Sequence, residues 1–240
     1  RQSESATRRM RALGRWLKWG LLGLVGLFVA WQLWLLGWVL FWNWVNPGTT
    51  RFMEIRLGEL REKNPSAQLK KEWVPYERIS IHLKRAIIAS EDAKFVDHEG
   101  FDWEGIQKAM EKNQKKGRFV AGGSTISQQL AKNLFLTPNK SYFRKAEEAI
   151  ITLMLENIWS KRRIFEVYLN VIEWGNGVFG AEAAARHYYN VGAAQLGAEQ
   201  SARLAGMVPN PRLYDKNRGA PGLGRKTAII LGRMPSADVP

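Results

Sequence analysis

One long apolar stretch dominates the hydropathy pattern. No residue between Trp19 and Thr50 is charged, and its apolar part, residues 19–45, exceeds the ~20 residues that a helix needs to cross a bilayer. A secretory signal peptide would have a shorter apolar region and a small-residue cleavage site, and neither is seen. The pattern therefore predicts a retained transmembrane signal anchor.

The residues around this stretch predict its orientation. The basic residues before it are Arg8, Arg9, Arg11, Arg15 and Lys18, and the only acid is Glu4. By the positive-inside rule, residues 1–18 form a cytoplasmic tail. Everything beyond residue 50 then lies outside the cytoplasmic membrane. Within the span, Trp31, Trp34 and Trp38 are expected on one helical face, against lipid or another helix.

Beyond the anchor, apolar positions recur with helical spacing almost throughout. Ser80, Asp102 and Ser160 are predicted N-caps. Helices are predicted over residues 53–62, 81–91, 125–135, 142–159, 161–174, 180–189 and 198–208, with another after Asp102. Since no run of alternating β-branched residues is found, the fold class is predicted to be all-α, or nearly so.

The chain of 240 residues carries a formal net charge of +14 and no cysteine. Such a balance is typical of proteins that bind nucleic acid, anionic lipid or an anionic substrate. The predicted location argues against nucleic acid and favours anionic lipid head groups. Residues 112–119 are basic and contain a glycine, and composition fits a mobile flap and a solvated loop equally well.

Two glutamates are candidate catalytic groups. Glu91 follows the apolar residues 86–89, so partial burial could raise its pKa toward the range of a general base; the alternative is an exposed carboxylate at a helix end. Glu166, Asn170 and Glu173 form a narrow polar stripe on a helix that is otherwise apolar all round. Such a stripe faces water or lines a cleft, and its narrowness favours the cleft.

A group of cations follows the glycine pair at residues 122–123. Gln128 and Lys132 lie one helical turn apart, and Lys140, Arg144 and Lys145 come soon after. Residues 147–148 are spaced to orient Arg144. Such a group can hold a diphosphate, which needs several donors; the alternative is a solvated basic face. The histidines lack metal-ligand spacing, and His98 is interpreted as a structural hydrogen-bonding residue.

These blocks resemble the family-51 glycosyltransferases that polymerise peptidoglycan, specifically the monofunctional biosynthetic ones, over about residues 70 to 234. The first two matching motifs are Glu91-Asp92-x-x-Phe95-x-x-His98-x-Gly100-x-Asp102 and residues 122–133. The others are Arg144-Lys145-x-x-Glu148, residues 164–170 and residues 180–189. Five motifs in order at compatible spacing make the resemblance specific.

The resemblance implies a lysozyme-like fold and an inverting transfer in which the GlcNAc 4-hydroxyl of an acceptor lipid II attacks C1 of the donor's MurNAc, releasing undecaprenyl pyrophosphate. Glu91 would be the general base and Glu166 the second carboxylate. The implied substrate-binding residues are Ser124, Gln128, Gln129, Lys132, Lys140, Arg144 and Lys145. The resemblance also implies a divalent cation, typically Mg2+, at the diphosphate, and no organic cofactor.

The implied partners are lipid II, the growing glycan strand and other cell-wall synthesis or division proteins. The predicted organisation is a tail (1–18), an anchor (19–45), a membrane-proximal segment (46–75), the glycosyltransferase domain (76–234) and a C-terminal tail (235–240). Lys140 and Arg163 depart from the family pattern, where an arginine and an acid are common. Without Ser-x-x-Lys or Lys-Thr-Gly signatures, no transpeptidase domain is expected.

Two other functions compete with synthesis. A lytic transglycosylase or lysozyme would cleave glycan, but hydrolysis has no use for a cationic diphosphate cradle. A catalytically inactive membrane-anchored scaffold would not need the full set of candidate residues. The sequence therefore favours polymerisation.

Overall fold

The computed structural model describes residues 2–118 and 122–240, with side chains from residue 14 onward. The chain divides into two units, residues 1–44 and 45–240. The first unit is helix α1, Gln2–Trp44. Its part Gly14–Trp44 is 31 residues long and contains an 18-residue stretch with a mean hydropathy of 2.0, which is long and apolar enough to cross a membrane. The rings of Trp31 and Trp34 stack at 5.0 Å, and those of Trp34 and Trp38 meet at 6.2 Å. The predicted shared face is confirmed.

The second unit is mainly helical. Its first helices are α2 (Arg51–Lys63), α3 (Ile81–Glu91), α4 (Trp103–Lys116), α5 (Ile126–Phe135) and α6 (Tyr142–Ile158). These are followed by α7 (Lys161–Val171), α8 (Ala181–Tyr189), α9 (Ala198–Met207), α10 (Pro211–Lys216) and α11 (Pro221–Arg233). Short 3₁₀ turns lie at Tyr76–Arg78, Ala193–Gln195 and Met234–Ser236.

The predicted caps determine where several helices begin. The side chains of Ser80, Asp102 and Ser160 each accept a hydrogen bond from a backbone N–H of the first turn of α3, α4 and α7. Each cap satisfies a donor that has no partner inside the helix. The three predicted N-caps are confirmed.

The core lies where these helices meet. Helix α3 packs against α9, and α5 packs against both α6 and α7. Phe95, Phe165, Tyr168 and Trp174 are among the largest fully buried side chains. Residues 86–89 of α3 are buried. Glu91, the C-terminal residue of this helix, lies where α3 meets α5.

A small sheet corrects the prediction for the end of α7. Strands β1 (Lys70–Lys71), β2 (Glu173–Gly175) and β3 (Val178–Phe179) lie in the order β1-β3-β2, with β1 parallel and β2 antiparallel to β3. Helix α7 therefore ends at Val171, and not at residue 174 as predicted. The left-handed Gly177 (φ 75°) turns the chain back between β2 and β3.

The expectation of a loop or flap over residues 112–119 is also wrong for its first part. Helix α4 continues to Lys116 and ends at Gly117, which adopts the left-handed conformation at φ 60°. Its lysines are good helix formers, and those in the last turn complement the helix dipole. Phe119 lies outside the described residues.

Candidate active site

Glu91 is the last residue of α3, and its hydrogen-bond partners are neutral. Ser90 Oγ donates to Glu91 Oε1 at 3.0 Å, and Gln129 Nε2 donates to Oε2 at 3.0 Å. Burial raises the pKa of Glu91 above its ordinary 4.5, while these two hydrogen bonds oppose the rise. The predicted partial burial and raised pKa are confirmed.

The amide of Gln129 is held from its other side. Tyr168 OH donates to Gln129 Oε1 at 3.0 Å. Burial raises the pKa of Tyr168 well above 10, so this hydroxyl remains a donor. Because the amide oxygen faces Tyr168, the amide nitrogen must face Glu91. The hydrogen-bond chain therefore fixes the position of the Glu91 carboxylate.

A second contact joins the Glu91 segment to the start of α5. Asp92 Oδ2 accepts from the backbone N–H of Ile126 at 3.0 Å, and Asp92 Oδ1 lies 2.9 Å from His98 Nε2. The backbone N–H of Gly100 donates to His98 Nδ1 at 3.1 Å, so Nε2 carries the proton that bonds to Asp92. The structural role predicted for His98 is confirmed.

The neighbouring amides of α5 have different functions. Gln128 is 3% exposed, and its Oε1 accepts from the backbone N–H of Thr125 at 3.0 Å, while Thr125 Oγ1 accepts from Gln128 N at 3.2 Å. This reciprocal pair is a capping box. The amide oxygen of Gln128 is committed to the helix cap, whereas Gln129 contacts Glu91.

Glu148 organises the cations. Arg144 Nη1 donates to Glu148 Oε2 at 2.6 Å, and Lys145 Nζ donates to Oε1. Lys145 also lies 3.4 Å from Ser124 Oγ. Burial lowers the pKa of Lys132, an effect that nearby Glu148 opposes. We call Lys132, Arg144 and Lys145 the cationic cradle.

The cradle retains binding capacity. Arg144 Nε is buried and donates to no acceptor among the described residues, so an anion in the cradle would satisfy it. Lys140 is exposed on the segment between α5 and α6, and the structure assigns it no contact in the cradle.

Sequence reasoning placed Glu148 only as a partner of Arg144. The structure shows a carboxylate that is 3% exposed and binds two cations. The available signal was its spacing, since Glu148 lies three and four residues after Lys145 and Arg144 on one helix.

Glu166 has different surroundings. Its Oε1 accepts from the backbone N–H of Tyr76 at 3.1 Å, and its Oε2 accepts from Arg163 at 2.8 Å. Asn170, one turn later, exchanges hydrogen bonds of 2.8 and 3.0 Å with both backbone groups of Val74. Glu166 and Asn170 therefore satisfy the extended connector before α3. The third residue of the stripe, Glu173, lines a cavity of about 180 Å³ together with Gln129 and Lys132, so the cleft interpretation is confirmed for Glu173.

Two cavities join the general-base candidate to the cradle. Glu91 and Ser124 line one of about 190 Å³. Ser124, Gln128 and Lys145 line the next, of about 240 Å³. A substrate that crosses Ser124 can therefore meet a carboxylate on one side and a cation on the other.

A mainly helical domain that places a partly buried carboxylate near a cationic cradle has the groups that a transferase of anionic substrates needs. The family model described as Transglycosylase matches residues 58–235. The chain therefore belongs to the peptidoglycan transglycosylase family, whose domain is lysozyme-like, and its activity is that of a peptidoglycan glycosyltransferase. The predicted family and fold class are confirmed.

Curated relatives match almost the whole chain. A biosynthetic peptidoglycan transglycosylase of Dechloromonas aromatica (strain RCB) is 86% identical over 231 residues, covering 96% of this chain and 100% of the relative. Proteins of the same description from Azoarcus sp. (strain BH72) and Aromatoleum aromaticum are 61% and 64% identical, covering 96% and 92% of this chain and 100% and 95% of the relatives.

Proposed function

We propose that the chain polymerises lipid II by an inverting glycosyl transfer that releases undecaprenyl pyrophosphate. The observation that carries the proposal is the arrangement of α5: Gln129 holds the Glu91 carboxylate, and Lys132, three residues on, belongs to the cationic cradle. One rigid helix thus supports both the group that takes a proton and the group that stabilises a departing anion.

The step involves one displacement. Glu91 takes the proton of the acceptor's GlcNAc 4-hydroxyl while that oxygen bonds to C1 of the donor's MurNAc. The bond between C1 and the diphosphate oxygen breaks on the opposite face, so the configuration inverts. The cradle stabilises the negative charge that develops on the diphosphate. Arg144 Nε, which has no acceptor among the described residues, supplies one of the hydrogen-bond donors.

Glu148 is the better-supported second carboxylate. Its contacts fix Arg144 and Lys145 in the cradle, whereas Glu166 is bonded to Arg163 and to the connector. We assign Glu148 the role of positioning the cations. The assignment of Glu166 as the second carboxylate stays a prediction, as do the substrate contacts of Ser124, Gln128 and Lys140.

The residues around the cradle do not fit a metal that the protein alone would hold. Among the described residues, no group of three or more histidine, aspartate and glutamate side chains could bind a cation, and Glu148 already binds two cationic side chains. Mg2+ would need most of its oxygen ligands from the substrate diphosphate.

Helix α1 supports a membrane anchor. The basic residues that precede its apolar part favour an N-terminus in the cytoplasm and a catalytic domain on the outer face of the cytoplasmic membrane. This arrangement keeps the enzyme on the surface that carries a lipid-linked substrate. Anionic lipids and other cell-wall synthesis or division proteins are the further partners of this proposal.

The test uses the full chain in detergent, incubated with labelled lipid II and, separately, with finished glycan. Wild type should form polymer from lipid II, and Glu91→Gln should not. Glu99→Gln is the matched control, because Glu99 is exposed in the same segment. Fragments released from finished glycan would instead identify a cleaving enzyme, and no turnover of either substrate would identify a scaffold.

A further inference from the structure

A further cavity lies at the N-terminal end of α3, away from Glu91. Helix α3 has 11 residues, so its two ends are about 15 Å apart at roughly 1.5 Å per residue. The cavity has a volume of about 490 Å³ and is formed by two segments, residues 77–82 and 194–197. We call it the distal groove. Neither Glu91 nor any residue of the cationic cradle lines it, so the proposed displacement does not use it.

The two segments of the distal groove are joined by hydrogen bonds of Ser80. Its backbone N–H donates to the carbonyl oxygen of Ala193 at 3.0 Å, and its Oγ donates to that of Leu196 at 2.7 Å. The backbone N–H of Ala193 in turn donates to Glu182 Oε2 at 2.7 Å. Ile79 and Leu196 are buried and give the groove an apolar floor. The shape of the groove is therefore fixed by contacts within the chain.

Unpaired basic side chains lie along the rim of the distal groove. Arg78 and His82 are exposed lining residues, and neither side chain forms a hydrogen bond or ion pair within the part of the chain that the structure describes. Arg85 is exposed one helical turn after His82 and is likewise unpaired there. The one carboxylate among the lining residues, Glu77, is engaged with Arg162. The rim therefore presents positive charge that carboxylates of a partner can complement.

The shape of the distal groove suits a peptide better than a small molecule. Sites for small molecules enclose their ligand and bury most of its surface, whereas most residues that line this groove are exposed. Ile81, which is 46% exposed, offers an apolar contact, and the exposed Gln195 offers an amide that can pair with a peptide backbone. Arginine beside apolar surface is typical of protein interfaces. These features fit an extended chain segment rather than a free anion.

We propose that the distal groove is a docking site for an extended acidic segment of another protein. Carboxylates of the segment pair with Arg78 and Arg85, and an apolar side chain packs on Ile81. The inference does not depend on the proposed function, because no residue of the groove takes part in the displacement. A partner docked here leaves Glu91 and the cradle uncovered, so it can stay bound while substrate enters the active site.

The experiment uses the full chain, immobilised in detergent micelles, and a phage-displayed library of short random peptides. Peptides retained by wild type are counter-selected on Arg78→Glu, sequenced and synthesised, and fluorescence anisotropy gives their dissociation constants. The selected peptides should be acidic. Arg78→Glu should weaken their binding about tenfold or more, because it places like charges opposite each other. Lys216→Glu changes the net charge equally at an exposed position on α10, and binding should change less than about twofold because a distant charge is screened.

A charge swap separates binding from structure. Each acid of a selected peptide is replaced in turn by arginine, and one of these peptides should bind Arg78→Glu about tenfold more tightly than the original peptide does. Circular dichroism melting and the rate of polymerisation from lipid II should be the same in Arg78→Glu as in wild type.

Four results would overturn the docking site. Two concern the selection: peptides that are neutral or basic, and the absence of any peptide that distinguishes wild type from Arg78→Glu. The third is an equal loss of binding in Lys216→Glu, or no rescue by any swapped peptide. The fourth is displacement of the peptides by phosphatidylglycerol added to the micelles, which would assign the distal groove to lipid head groups instead.

Discussion

The C-terminal end of α3 and the first half of α6 each place a glutamate next to the same cleft, with opposite surroundings. Glu91 receives hydrogen bonds only from the neutral groups of Ser90 and Gln129 among the residues described. Glu148 binds the charged groups of Arg144 and Lys145. Burial raises the pKa of Glu91, which makes it able to take a proton. Glu148 is paired with two cations and is suited to hold them in position.

Burial alone therefore does not distinguish these two carboxylates; their hydrogen-bond partners do. The partners decide whether a buried carboxylate exchanges a proton or remains an anchor for cations. The two lysines of the cradle differ instead in exposure. Burial lowers the pKa of Lys132, whereas Lys145 is exposed and paired with Glu148.

The largest expected effect is that of Glu91→Gln. Removal of a general base typically lowers the rate about 10²–10⁴-fold, and the polymerisation rate from lipid II should fall by this amount with KM little changed. Steady-state kinetics on labelled lipid II measures both parameters. A rate within about tenfold of that of the Glu99→Gln control would show that Glu91 is not the general base. The contrast drawn between Glu91 and Glu148 would then be wrong.

Lys132→Met should have the next largest effect. It keeps a long side chain but removes the charge, and loss of one donor to a developing anion costs about 10²–10³-fold in kcat. Lys216→Met, at the surface on α10, is the control for a lost positive charge. If kcat falls equally in both variants, general electrostatic attraction of the substrate explains the effect, and Lys132 does not act on the leaving group.

The caps and the burial of Glu91 could be predicted because they depend on neighbours in the sequence. Ser80 and Asp102 cap helices that begin at the next residue, and the apolar run at 86–89 buries the end of α3. The surroundings of Glu166 could not be predicted, because it bonds to Tyr76, 90 residues earlier. Periodicity shows that the polar face of α7 is not part of the apolar core. It does not show whether water or the backbone groups of a connector form the hydrogen bonds of that face.

The pairing of Glu148 with Arg144 is confirmed, but the end of α7 and the burial of Glu148 were missed, for the same physical reason. Glu173 leaves the helical pattern because its strand pairs with β3, which also pairs with Lys70 and Lys71 of β1. Glu148 has the local spacing of an ordinary surface pair, and only the packing of α6 against α5 buries it. Long-range pairing and burial are not encoded in local periodicity.

Glu148→Gln should have a smaller effect than the changes at Glu91 and Lys132. Its amide oxygen can still accept one hydrogen bond, so one cation of the cradle remains held while the other loses its partner. We expect KM for lipid II to rise about tenfold, in the range for a lost charge-assisted hydrogen bond, with a smaller change in kcat. A fall in kcat as large as that of Glu91→Gln would show that Glu148 takes part in proton transfer.

The pH dependence of kcat/KM should show the ionisation of both Glu91 and Lys132. Glu91 must be ionised, so activity rises with pH through its raised pKa, above the ordinary 4.5. Lys132 must be protonated, so activity falls as pH rises through its lowered pKa, below the ordinary 10.5. Lys132→Arg keeps a charge that does not titrate in this range and should move the alkaline limb to higher pH while leaving the acidic limb. An unmoved alkaline limb would assign it to another group.

The smallest expected effect is on stability, and its sign should differ between the two glutamates. Because burial raises the pKa of Glu91, its ionisation opposes folding: the penalty is absent below the unfolded pKa and grows as pH rises through the folded one. Glu91→Gln should therefore raise Tm at neutral pH by a few degrees, since 1 kcal/mol corresponds to about 2–4 °C in a domain of this size. The gain should vanish below about pH 4.

Glu148→Gln should instead lower Tm at neutral pH, because it leaves two cations beside a group that no longer carries charge. Thermal melts by circular dichroism at neutral and acidic pH, in the same detergent, measure both variants against wild type. A fall in Tm for Glu91→Gln at neutral pH would mean that its hydrogen bonds with Ser90 and Gln129 outweigh the cost of burying the charge. The two carboxylates would then differ in their partners but not in whether their charge opposes folding.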